Sequence, residues 1–168
     1  MLTGRPEHLK TFDYVGLHRY SLTFCTDSRR HLFTHSQAVD LVLSQIVRAA
    51  DEEGFAIVAY CFMPDHVHVL IEAQAETSDC RRFIKRAKQY SGFYYSKEFG
   101  HRLWQRYGFE RVLRNDETTL VVARYILENS LRAGLAASVE DYPHLGSTTH
   151  PIGEILAAIS GEYRSRSG

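Results

Sequence analysis

The chain has 168 residues, 44% of them hydrophobic and 24% charged, and its 20 Lys/Arg balance 20 Asp/Glu to zero net charge. That is enough chain for one domain with a sizeable core, and its apolar runs fall far short of a membrane span. Three widely spaced cysteines (Cys25, Cys61, Cys80) without a CxxC argue against a disulfide framework, and with no apolar signal core in MLTGRPEHLK they predict a soluble, cytoplasmic protein with reduced thiols.

Residues 1–16 read as an irregular lead-in. His18 to Thr26 alternates, with Tyr20, Leu22 and Phe24 on one face, and predicts a strand. Asp27 to Arg30 is a turn. Ser36 is placed to cap a helix that runs to Glu53 and stops at Gly54, burying Val39, Leu43, Ile46, Val47 and Ala50. Phe55 to Phe62 is a second strand, and Pro64-Asp65 turns it into a third, predicting an antiparallel hairpin. A helix over residues 78–99 carries basic residues and closes at Gly100. A loop around Trp104 leads to a short strand in FERVLR. Asn115-Asp116-Glu117 then offers a cap and acids for a helix N-terminus; that helix runs through Leu120, Val121, Tyr125 and Ile126 to about Asn129, and Gly134 stops the next turn. Residues 142–149 are irregular, and a short helix over 151–162 precedes a basic tail with Arg164 and Arg166. The order predicts an α/β fold, an α+β sandwich whose mainly antiparallel sheet is ferredoxin-like or RRM-like, one face packed by helices and the other left for a site. The domain spans 1–146, with a C-terminal extension over 147–168.

The third strand carries the most informative chemistry. In YCFMPDHVHVLIEA, His66 and His68 point to one face while Val67, Val69 and Ile71 point to the other. Two imidazoles side by side can form two legs of a metal site; they can equally be polar surface. A histidine-triad hydrolase needs a third His where Leu70 stands, and the two-histidine phosphodiesterases pair each His with Thr or Ser, so both fit poorly. A zinc hydrolase needs a further His, Cys or carboxylate; Asp65 points away from the histidine face of a regular strand, and Glu72 lies too far along it. Tyr125 and Asn129, four apart, share a helix face. If that face meets the histidines, Asn129 supplies a third ligand oxygen and Tyr125 a nucleophile for phosphodiester transesterification. If it does not, Tyr125 is one more core tyrosine among ten.

The basic residues cluster. Arg81, Arg82, Lys85, Arg86, Lys88, Lys97, Arg102, Arg106, Arg111 and Arg114 share a window with only Glu98 and Glu110, giving +8 there and −8 elsewhere. Interleaved with Phe93, Tyr94, Trp104 and Tyr107, they suit a surface that tracks phosphates and stacks bases, or a solvated helix face beside core aromatics.

YCFMPDHVHVLIE resembles the HUH motif of the single-tyrosine, insertion sequence 200-like transposases, which share the HUH endonuclease architecture. Trp104-Gln105, Phe109-Glu110, Arg114-Asn115, Tyr125-Ile126, Asn129 and Ala133-Gly134-Leu135 follow in the order of the REP-associated tyrosine transposase branch, and TFCTDSRRHLF also resembles the family. The resemblance covers about residues 17–146. It implies Mg²⁺ or Mn²⁺ on His66, His68 and Asn129, and Tyr125 as the nucleophile that forms a 5′-phosphotyrosine link. It also implies single-stranded hairpin DNA as substrate, a nucleoid-associated protein, and action as a monomer or homodimer. Arg81, Arg82, Lys85, Arg86, Lys88, Arg102, Arg106, Arg111 and Arg114 are candidates for the DNA backbone, and Trp104, Phe93, Tyr94 and Tyr107 for stacking. The family's Asn-Pro is Asn129-Ser130 here, which lets the helix run further. A non-catalytic, transposase-derived regulator that binds structured DNA is the competing reading.

Overall fold

The computed structural model describes residues 12–107, 109–113 and 118–157, with backbone alone for 109–111. The chain runs β1 (Arg19–Cys25), α1 (Ser36–Glu53), β2 (Phe55–Met63), β3 (His66–Ala73), α2 (Cys80–Phe99), β4 (Phe109–Val112), α3 (Thr119–Leu127), α4 (Asn129–Arg132) and β5 (Leu145–Gly146). The sheet order is β4-β1-β3-β2-β5, antiparallel at every pairing. The first four strands and two helices thus form the split βαβ-βαβ of a ferredoxin-like fold.

Local chemistry sets the boundaries. Gly54 and Gly100 end α1 and α2 at φ 73° and 79°, a left-handed turn that glycine adopts without a Cβ penalty. Asp79 caps α2 by accepting from the Arg82 amide. His35, not Ser36, stands at the N-cap of α1, and its side chain makes no capping bond. Pro64-Asp65 makes the two-residue turn of the β2–β3 hairpin, bringing Met63 opposite His66.

Strand alternation divides the interior into two cores. Phe24, Val67, Val69 and Ile71 face α1 and α2, packing with Ile46, Phe55 and Phe83. The other face is not left open as the sequence suggested. Leu70 and Cys61 meet Ala123, Ile126 and Leu127 of α3, and Leu145 and Ile155 complete this second core. Full burial of such side chains is worth about 1.5–3 kcal/mol each, so α3 is held firmly across the strand that carries the histidines. Residues 152–157 are helical, and because Ile155 is fully buried there, part of the expected C-terminal extension belongs to this core. β5 was expected to be irregular chain; it pairs Gly146 with Tyr60 on the edge of β2. The expected cap at 115–117, Arg114 and the tail arginines lie outside the described residues.

Candidate active site

His66 and His68 stand where alternation predicts, on the face that α3 covers. Their Nε2 atoms are 3.1 Å apart and their rings are nearly perpendicular, at 89°. Each Nδ1 has a partner of its own: Asp65 Oδ1 at 2.6 Å from His66, and Thr23 Oγ1 at 2.9 Å from His68. Thr23 is there because β1 pairs with β3 in a register that sets it opposite His68. Asp65 is there because it belongs to the turn, where strand alternation does not hold; the expectation that it points away from the histidine face assumed a regular strand, and the carboxylate instead meets His66 Nδ1. Arg29 Nε donates to the other carboxylate oxygen at 2.9 Å. Burial pushes the Asp65 carboxyl up, but the hydrogen bonds from His66 and Arg29 outweigh it and hold it below the usual carboxylate range.

An ionised carboxylate only accepts, so the proton of neutral His66 resides on Nδ1 and its Nε2 lone pair faces His68. With no cation between them, His68 Nε2–H donates to that lone pair and the Thr23 hydroxyl donates to His68 Nδ1. The other tautomer of His68, with its proton on Nδ1 and donated to Thr23, would leave both Nε2 lone pairs free to hold a cation, which would supply positive charge for a phosphate oxygen. Burial first, then the neighbouring His66 and Arg132, lower the His68 pKa to about 4, which keeps the ring neutral and competent as a ligand. The 3.1 Å separation fits two adjacent ligands on one ion: bonds of about 2.1 Å would subtend about 95°. Cys61, opposite His68 on the same face, stays a neutral thiol because burial pushes it up to about 12.

The Tyr125–Asn129 pair is reached by a different backbone route than expected. α3 stops at Leu127, Glu128 makes a turn at φ −80° and ψ 0°, and Asn129 opens the separate α4. The replacement of Pro by Ser130 therefore does not prolong one helix. Tyr125 is 61% exposed, a value that removes it from the core. Arg132 ties the pair together: its Nη2 donates to Asn129 Oδ1 at 2.6 Å and to the Tyr125 carbonyl, and its guanidinium lies 3.7 Å from the Tyr125 ring centroid. Asn129 Nδ2 is buried and has no hydrogen-bond partner. Arg132 also carries charge toward His68 and Cys61, which places the α3–α4 corner beside the histidine strand.

The basic window divides by partner. Arg82 and Arg86 bind Glu53, whose side chain is only 7% exposed, and Arg86 also binds Glu52. Arg81 lies over Tyr14. Trp104, expected to stack on bases, is buried against Phe24 and Phe33 and donates Nε1–H to Ser91. What remains for a ligand is a groove of about 400 Å³ with Trp104 in its wall, bordered by Lys88, Phe93, Arg102 and Arg106. Phe93, Arg102 and Arg106 are exposed there, as is Lys85 along α2. The side chain of Arg111 lies outside the described residues. The groove adjoins the histidine end of the sheet: Gln105 N–H bonds to Cys25 O, and Cys25 pairs with His66.

The family described as transposase, IS200 like, matches residues 14–129. The chain belongs to the IS200-like transposases. This IS200-like transposase is 28% identical over 154 residues to a candidate REP-associated tyrosine transposase of Haemophilus influenzae, covering 80% of this chain and 81% of the relative. Its fold matches that of a REP-associated tyrosine transposase bound to a REP hairpin, with a TM-score of 0.68 at 19% identity over 83% of this chain and 81% of the other. It is also similar to a candidate transposase from Deinococcus radiodurans, with a TM-score of 0.50 and 25% identity over 73% of this chain and 97% of the other. The resemblance to the REP-associated branch stands. Among the described residues, no helix is long and apolar enough to cross a membrane.

Proposed function

We propose that this IS200-like transposase cleaves hairpin-bearing single-stranded DNA through a covalent link to Tyr125. The observation that carries this reading is the facing pair of Nε2 atoms 3.1 Å apart, each imidazole fixed by its own partner, on the sheet face that α3 brings near Tyr125. Such a pair has the form of a metal site with its supporting shell. His66 Nε2, His68 Nε2 and Asn129 Oδ1 would hold Mg²⁺ or Mn²⁺, which when bound polarises a phosphate oxygen.

Tyr125 Oη attacks phosphorus, the bond from phosphorus to the 3′-oxygen breaks, and that oxygen leaves as a 3′-hydroxyl after taking up a proton. The 5′-phosphate stays on the tyrosine. Exposure gives the phenol access to DNA, while the α3 stripe beneath it fixes its base. Asp65 and Thr23 hold the two imidazoles in orientation. Lys85, Arg102 and Arg106 face the backbone of the single strand, and Phe93 offers an exposed ring for a base. The zinc-hydrolase reading needs a third His, Cys or carboxylate beside the pair; no such group of three occurs among the described residues, and Asp65 engages Nδ1 rather than the open Nε2 side.

The test is incubation with end-labelled hairpin single strands and Mn²⁺, followed by a denaturing protein gel. A labelled protein band from the wild type that vanishes in Tyr125→Phe and His66→Ala is the expected result. Cleavage that survives Tyr125→Phe would overturn the tyrosine mechanism, and binding without cleavage would point to the regulator.

A further inference from the structure

Arg132 is the group whose position the mechanism above does not use. It is exposed, it ends α4, and it stands three positions after Asn129. One guanidinium nitrogen serves Asn129 Oδ1 and the Tyr125 carbonyl, while the plane covers the Tyr125 ring at 3.7 Å. So one cation engages both the proposed ligand oxygen and the proposed nucleophile. Guanidinium has no lone pair and cannot ligate a metal. It competes with one twice over, by binding the ligand oxygen and by adding positive charge to the place a divalent ion would take. Its preferred partner is a different one: the planar fork matches two oxygens of a phosphate, and that bond is stronger than one to a neutral amide.

We infer that Arg132 is a phosphate-responsive latch: in the free protein it holds Asn129 Oδ1 and packs over the Tyr125 ring, and the DNA phosphate draws it away. Release frees Asn129 Oδ1 for the metal and lets the Tyr125 ring turn, so DNA and metal bind cooperatively through this one side chain. The buried, unpartnered Asn129 Nδ2 fits a side chain held in a waiting position, since a buried amide hydrogen with no acceptor favours rearrangement. The site then assembles only when substrate is present. This inference rests on the proposed function, and its test separates the two.

Mn²⁺ is titrated into the full-length protein and followed by electron paramagnetic resonance, without DNA and then with a hairpin single strand in a Tyr125→Phe background that blocks covalent chemistry. The wild type should bind Mn²⁺ weakly alone, and the Tyr125→Phe protein should bind it about tenfold more tightly with DNA. Arg132→Ala should bind Mn²⁺ about five- to tenfold more tightly than wild type without DNA and show little further gain with it, while binding the hairpin less tightly. Arg132→Lys, which keeps the charge and loses the fork, should fall between and covers the case in which the alanine variant fails to fold. If the wild type forms the Tyr125 adduct yet Arg132→Ala binds Mn²⁺ no more tightly than wild type, the latch is refuted and the function stands. If the wild type forms no adduct with any hairpin, the functional reading fails first.

Discussion

Asp65→Asn isolates the contribution of the turn residue to the histidine pair. The substitution keeps size and hydrogen-bonding capacity but removes the charge that holds the His66 proton on Nδ1. An amide can present its NH₂ instead, and His66 then carries its proton on Nε2, where it cannot ligate. The lost bond is short, 2.6 Å, and charge-assisted, a class worth about 1.5–3 kcal/mol. Outer-shell partners of metal-bound histidine typically contribute 10–100-fold in affinity, about 1.4–2.7 kcal/mol, so the two estimates agree. Arg29 also loses a partner, but its side chain is 55% exposed and exposed pairs contribute little. The assay is Mn²⁺ affinity by electron paramagnetic resonance beside the rate of adduct formation, with a thermal melt to confirm folding. Both should fall by about 10–100-fold. Affinity within twofold of wild type in a folded variant would refute the reasoning, because Asp65 would then do no more than close the turn.

Four further outcomes follow from the structure. Arg86→Ala should lower the urea midpoint, because among the described residues the buried Glu53 then keeps only Arg82 at 3.4 Å; Arg106→Ala should leave urea unfolding unchanged and make hairpin binding less salt-dependent by about one phosphate contact. In metal-free protein, His68 stays neutral down to about pH 4 when folded but takes a proton near 6.5 when unfolded. Stability is therefore complete above about pH 6.5 and falls on acidification, by about 2 kcal/mol at pH 5; urea titrations should show this slope and His68→Gln should flatten it, whereas a flat wild-type profile contradicts the burial argument. Gly146→Ala places a Cβ 2.6 Å from the Tyr60 hydroxyl, and such overpacking should cost about 1–3 kcal/mol by denaturant titration. Tyr60→Phe should recover part of it, and additive effects would show that the two do not meet.

The parts legible in the sequence are those that repeat with a local period. Alternation around His66-Val67-His68 set both histidines on one face, and the glycines at 54, 100 and 134 marked helix ends because their backbone needs are local. The supporting shell was not legible. Thr23 meets His68 only through the β1–β3 register, 45 residues away in sequence, and Asp65 reaches His66 because a turn interrupts the alternation used to judge it. Arg132 left one visible signal, a basic residue at i+3 from Asn129, but the break at Glu128 falls between Tyr125 and Asn129 and removes the continuous helix from which its reach to Tyr125 would be read. For Trp104 and Arg86 the sequence left two readings open for a shared reason. Composition places aromatic and basic residues in one stretch, while only the tertiary partners, Ser91 for one and Glu53 for the other, show which are consumed within the fold.

The central claim is that Tyr125 itself takes the phosphate. Trypsin cuts after Arg124 and Arg132, so the peptide over residues 125–132 contains Tyr125 as its one tyrosine. After reaction with hairpin DNA and Mn²⁺ and nuclease trimming, mass spectrometry of that peptide decides the matter. A nucleotide-phosphate adduct on Tyr125, absent when the metal is chelated, is what the account predicts. DNA cut to completion with this peptide unmodified at every time point, or with the adduct on another tyrosine, would contradict it.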